Sequence, residues 1–153
     1  MFVVNSVAEI KEVKCKMIAF DNDLIRSLTV ICAVDSTAVD RMDSALEHMA
    51  DWYDDAGMPK FREFKILELG HFIRNCDVTF RATRDDGGLS IQQCDLQKMR
   101  FEFKADRRAG IVFQVVKHDF RDGLLDPLTK LVKQTVYIDV TERQMELNLV
   151  GRG

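Results

Sequence analysis

Two stretches of this chain nearly copy one another. KMRFEFKADRRAGIVFQVV, Lys98–Val116, follows KMIAFDNDLIRSLTVICAV, Lys16–Val34, at a constant spacing of 82 residues. A repeat of this kind constrains a fold strongly, because each copy has to form the same unit and bury the same face. At the same spacing Met42, Leu46 and Met49 fall on Leu124, Leu128 and Leu131, so the likeness runs on into what reads as a helix's buried stripe.

The elements follow from periodicity. "KCKMIAF" (Lys14–Phe20) reads as a strand, "DNDLIRS" as the turn after it, and "LTVICAV" (Leu28–Val34) as a strand apolar enough to be covered on both faces. Asp35, Ser36 and Thr37 supply capping oxygens. Val39, Met42, Leu46, Met49 and Tyr53 then fall at helical spacings, which predicts a helix to about Ala56, ended by Gly57 and Pro59. Strands are expected at Phe61–Leu69 and Asp77–Ala82, the latter alternating Val78, Phe80 and Ala82 with Asp77, Thr79 and Arg81. After the turn signal "RDDGG" come strands at "LSIQQCDL", "KMRFEFKA" and "IVFQVVKHD", with Met99, Phe101 and Phe103 facing opposite to Arg100, Glu102 and Lys104. A shorter helix uses Leu124, Leu125, Leu128, Leu131 and Val132, with Pro127 tolerable only near its first turn. "TVYIDVT" is a further strand and "MELNLV" an edge strand.

Together these predict one α+β domain over residues 1–153, a mostly antiparallel sheet with two helices. Internally duplicated β-β-α-β units would span about 14–70 and 96–144, joined by a β-meander at 76–95. Counted from Leu28, the β-α-β-β-β order is similar to the repeat inside DNA sliding-clamp domains. That resemblance is one of topology and implies helices gathered on one face of curved sheets. It brings no clamp motif, and a fold confers no function by itself. The first helix here is also acidic, whereas the clamp helices that face DNA are basic.

The chain is long enough for one well-filled core, and with 46% hydrophobic and 31% charged residues it has the balance of a globular protein. Cys15, Cys32, Cys76 and Cys94 show neither CxxC nor zinc-type spacing, so they read as reduced thiols buried in strands and no metal or cofactor is expected. The opening "MFVVNSVAEIKEVK" meets Glu9 and Glu12 early and does not read as a signal peptide; no apolar run is long enough to span a bilayer. A cytoplasmic protein without membrane contact is expected.

Charge is unevenly spread. Residues 1–58 hold 5 Lys/Arg against 11 Asp/Glu, and residues 59–110 hold 11 against 8. Asp40, Asp43, Glu47, Asp51 and Asp54 share one side of the first expected helix, with Trp52 beside them as a candidate anchor. Like charges at these spacings cost a few tenths of a kcal/mol per pair. The acids therefore read as a docking ridge for a protein with a basic surface, or more plainly as a solvated face. Arg81, Lys98, Arg100 and Lys104, with Arg107 and Arg108 at a loop, make the opposing patch, suited to phosphates, to self-association with a neighbour's acidic helix, or simply to cross-strand ion pairs.

Catalytic signals are weak. His48, His71 and His118 stand in no ligand or base spacing, and Gly87-Gly88 matches no phosphate-binding loop. The leading expectation is a non-catalytic protein-interaction module, phage-encoded or accessory to nucleic-acid machinery, and able to oligomerise. The alternatives are a nucleic-acid-associated module with a clamp-like or basic sheet surface, and a small hydrolase or transferase.

Overall fold

The computed structural model describes residues 3–38, 52–60, 66–68, 73–83, 85, 87–120 and 122–143. Period-two alternation dominates it. Seven strands form: β1 (Val3–Phe20), β2 (Asp23–Ala38), β3 (Ile66–Glu68), β4 (Ile73–Arg81), β5 (Leu89–Lys104), β6 (Arg108–His118) and β7 (Thr135–Glu142). A 3-10 turn at Asp122–Leu124 leads into one short helix, α1 (Leu125–Lys130).

β1 and β2 are joined by Asp21 and Asn22, with φ of 48° and 68°. Two left-handed residues make the tight turn whose twist matches that of the strands it joins, and Asp and Asn tolerate it well. Around the molecule β1 pairs with β2, β2 with β6, β6 with β5, β5 with β4, β4 with β7, and β7 returns to β1. Every pair is antiparallel, so six strands close into a barrel and leave no free sheet edge around the ring. β3 only flanks β5, with Ile66 opposite Glu102.

The interior is filled by alternate residues of these strands. Leu28, Val30 and Cys32 from β2, Phe80 from β4, Phe101 from β5, Ile111 and Phe113 from β6, and Ile138 and Val140 from β7 are all buried. In β5 the inward set changes parity twice, from Ile91 to Cys94 and Leu96, then to Met99, Phe101 and Phe103. Each change coincides with a left-handed residue at a register shift, Gln93 (φ 54°) and Lys98 (φ 50°). A bulge adds one residue and so returns the apolar side chains to the core face. β1 does the same between Ile10 and Glu12, after which Val13 packs on the core.

α1 buries Leu128 completely and sets Leu124, Leu125 and Leu131 against the core, with Pro127 in its first turn. The Lys133 N–H donates to the Ile10 carbonyl at 2.7 Å, tying the end of this segment to β1.

The α+β expectation is therefore overturned. Among the described residues the chain is nearly all strand, a closed antiparallel barrel with one short helix, not a sheet carrying two. β2 continues through Asp35, Ser36 and Thr37 to Ala38, paired with β6 as far as Arg108, where capping and a helix start were expected. The backbone stays extended here because β6 offers it a ladder. Residues 39–51 lie outside the described residues, and Trp52–Lys60 forms turns, not the end of an acidic helix. The clamp-like likeness falls with the helices.

The duplicated units fail for a related reason. A spacing of 82 sets inward Leu28, Val30 and Cys32 against Gly110, Val112 and Gln114, which face outward, and exposed Met17 (56%) against buried Met99 (1%). The likeness equates opposite faces. What recurs is only the hairpin, β1–β2 and β5–β6.

Smaller departures share this logic. Leu28–Val34 is buried on one face and half-exposed on the other, Ala82 lies exposed beyond β4, and Cys15 is exposed while the other three thiols are buried. "LSIQQCDL" and "KMRFEFKA" are one strand bent by its bulges.

Candidate binding groove

Large side chains fill much of the barrel's interior, and among the described residues a concavity opens at the surface. It is a groove of roughly 400 Å³ running across β5, β6, β2, β1 and the start of β7. Its floor is made by small outward residues, Ala33, Gly110 and Val112, with Val7 at one side. Gly110 matters here. Lys104 lies across it: a Cβ at Gly110 would stand 3.6 Å from the Lys104 Cε and Nζ, ordinary van der Waals contact.

The rim is charged with both signs. Glu9 and Lys11 on β1 pair with each other at 3.3 Å, both side chains well exposed. Such a pair contributes little to stability. On the opposite rim Arg100, Glu102 and Lys104 alternate outward from β5, as expected from their spacing.

Of the patch anticipated from sequence, the structure brings together Arg100 and Lys104 in the groove, with exposed Arg107 and Arg108 just past the β5–β6 turn. Lys104 and Arg108 are register partners on neighbouring strands. Lys98 is exposed at its bulge. Arg81 is elsewhere. It forms an ion pair with Asp139, whose carboxylate also accepts from Asn5, so at that position cross-strand pairing has won.

Among the anticipated acids, Asp40, Asp43, Glu47 and Asp51 lie outside the described residues. Asp54 is a turn-former: its carboxylate accepts from the backbone N–H of Ala56 at 2.9 Å and of Met58 at 3.0 Å. Trp52 is half-buried, its ring edge-on to Phe103 at 5.1 Å, and Tyr53 donates its hydroxyl to the Arg108 carbonyl at 2.5 Å. Trp52 and Tyr53 therefore fasten the 52–60 segment to the β5–β6 hairpin, aided by Arg107 N–H donating to the Gly57 carbonyl at 3.0 Å.

The remaining reactive side chains are held in structural roles. His118 Nδ1 and the buried Ser27 hydroxyl are 3.0 Å apart as register partners on β6 and β2. His48 and His71 lie outside the described residues. Burial raises the Cys32 thiol well above its ordinary range. It pushes Cys76 and Cys94 to about 12, helped by the neighbouring Asp77 and Asp95 carboxylates. Neutral thiols are poor nucleophiles. Among the described residues no group of three His, Cys, Asp or Glu side chains is placed to hold a metal.

Sequence reading missed the groove because its floor is defined by residues lacking chemistry. The signal that was present is Gly110, a glycine inside a strand, which leaves that stretch of the outer face without a side chain. Comparison with protein-family models, curated proteins and solved structures finds no match.

Proposed function

We propose that this protein is a non-catalytic binding module that receives an extended, acidic segment of a partner protein in the groove over β6. The observation that carries the reading is the setting of Arg100 and Lys104 beside a floor of Ala33 and Gly110. Small floor residues admit a partner's main chain closely, and the two cations await carboxylates, whereas Glu9 already answers Lys11. An extended segment also suits the shape, which crosses several strands.

A polynucleotide fits less well. Glu9 and Glu102 interrupt the positive rim, none of the groove's lining residues is aromatic, and Arg81 is engaged by Asp139. The acidic ridge anticipated from sequence, with its basic-surfaced partner, would rest on residues outside those described.

A peptide-display selection tests the proposal, comparing the natural chain with Arg100→Glu/Lys104→Glu. Acidic peptides enriched by the natural chain and lost with the double variant are expected, with unchanged thermal unfolding. Peptides retained equally by both chains overturn it. Light scattering adds the self-association case: a concentration-dependent mass that disappears with the same variant identifies a second copy as the source of the acidic segment.

A further inference from the structure

A shorter repeat lies at a spacing of 18: Ile73-Arg74-Asn75-Cys76-Asp77-Val78 and Ile91-Gln92-Gln93-Cys94-Asp95-Leu96. The two copies pair with each other. Ile73 lies opposite Leu96, Cys76 opposite Cys94, and Val78 opposite Ile91, which is a local two-fold centred on the cysteines. Asn75 (φ 61°) and Gln93 (φ 54°) are the left-handed residues of two flanking bulges. Each turns its N–H to the aspartate of the other copy, Asn75 to Asp95 at 3.4 Å and Gln93 to Asp77 at 3.0 Å. Twin bulges locked in this way prevent the strands from slipping, so the cysteines are fixed in opposition.

Directly opposed residues of antiparallel strands have Cα atoms roughly 4.5–5.5 Å apart and point to the same face. That separation falls within the roughly 4.4–6.8 Å a disulfide spans. Both cysteines are buried on the inward face, and the Cys94 thiol lies 3.2 Å from the Cys76 carbonyl oxygen. Cys32, the third buried thiol, sits on β2, which is hydrogen-bonded to neither β4 nor β5. We propose that Cys76 and Cys94 are an oxidisable pair that forms an intramolecular cross-strand disulfide, with a hydroperoxide as the oxidant.

The reaction balances in two steps. One thiol sulfur attacks the peroxide, the O–O bond breaks, and a sulfenic acid and one water (an alcohol, from an organic hydroperoxide) result. The second thiol then attacks that sulfur, the S–O bond breaks, and the S–S bond forms with loss of water. Two electrons pass from the thiols to the peroxide. Because burial and the two aspartates disfavour the thiolate, the rate is set by transient opening of the β4–β5 hairpin and rises with pH. The product staples β4 to β5 in an oxidising compartment and is absent in a reducing one.

The test uses the full chain carrying Cys15→Ser, which removes the one exposed thiol. It is treated with hydrogen peroxide at mildly alkaline pH in urea below the unfolding midpoint, alkylated, and digested with trypsin without reduction. Mass spectrometry should find Asn75–Arg81 joined to Asp85–Lys98, a species lost with dithiothreitol, and the oxidised chain should unfold at higher urea. Linkage of Cys32 to either cysteine as the main product, over-oxidation of Cys76 or Cys94 without a link, or unmodified thiols would each overturn the proposal.

Discussion

The backbone N–H of Gln93 donates to the Asp77 carboxylate at 3.0 Å, from one barrel strand to the next. Gln93 is the left-handed residue of the bulge that returns Cys94 and Leu96 to the core, so its N–H has left the regular ladder. Asp77 supplies the replacement acceptor and also takes the Arg143 guanidinium at 2.7 Å.

Asp77→Ala is therefore expected to lower stability by about 0.5–1.5 kcal/mol, the net worth of a hydrogen bond whose donor water can still reach. Asp77→Asn keeps an acceptor and should lose less. Asp95→Ala should cost less than Asp77→Ala, because its bond to Asn75 is longer. Urea unfolding of the three variants checks the order.

The bulge at Lys98 makes the opposite prediction. Lys98 is exposed with φ of 50°, a conformation that costs a residue with a Cβ on the order of 1 kcal/mol. Lys98→Gly should leave stability equal or a few tenths of a kcal/mol higher, after the extra unfolded-state entropy of glycine is counted. Gly88→Ala should do the reverse. Gly88 has φ of 77°, and an added Cβ would sit 2.5 Å from the Phe80 carbonyl oxygen, so the melting temperature should fall clearly.

The thiols give a pH dependence with a definite sign. Cys76 and Cys94 are pushed up to about 12 in the folded chain from an ordinary thiol value of 9.0, chiefly by burial, so folding favours their protonated forms. The contribution is complete below pH 9 and is lost as pH rises toward 12. Urea midpoints should decline across that window, less steeply in Cys76→Ala/Cys94→Ala. At neutral pH a thiol reagent should label Cys15 quickly, and the buried Cys32, Cys76 and Cys94 far more slowly, at the rate at which the strands around them open.

Strand content was legible from alternation: Met99, Phe101 and Phe103 inward, and Val136, Ile138 and Val140 in "TVYIDVT", needed no structure. A short helix was legible too, but it occupies only Leu125–Lys130 of the run from Leu124 to Val132, whose end bridges to Ile10. Closure was not, because pairing partners such as β4 with β7 are remote in sequence and alternation does not name a partner. The bulges were invisible for a physical reason. A left-handed Gln93 or Lys98 carries no compositional mark of the kind a glycine would, so β5 read as two strands. The 82-residue likeness misled because apolar alternation matches itself in either parity, while the 18-residue likeness pairs in space and was overlooked. Of the six basic residues, Arg100 and Lys104 line one groove because they share a strand and a face. Arg81 did not join them, since it pairs diagonally across the β4–β7 ladder with Asp139, two residues along from its register partner Tyr137.

The most direct test is nuclear Overhauser contact at β7, the strand that closes the ring. Val140 should show cross-strand backbone contacts to Val4 on one side and to Val78 on the other, together with contacts between Phe101 and Ile111. Contacts from Val140 to only one of those neighbours would mean an open sheet, and the barrel, with the groove that lies across it, would be contradicted.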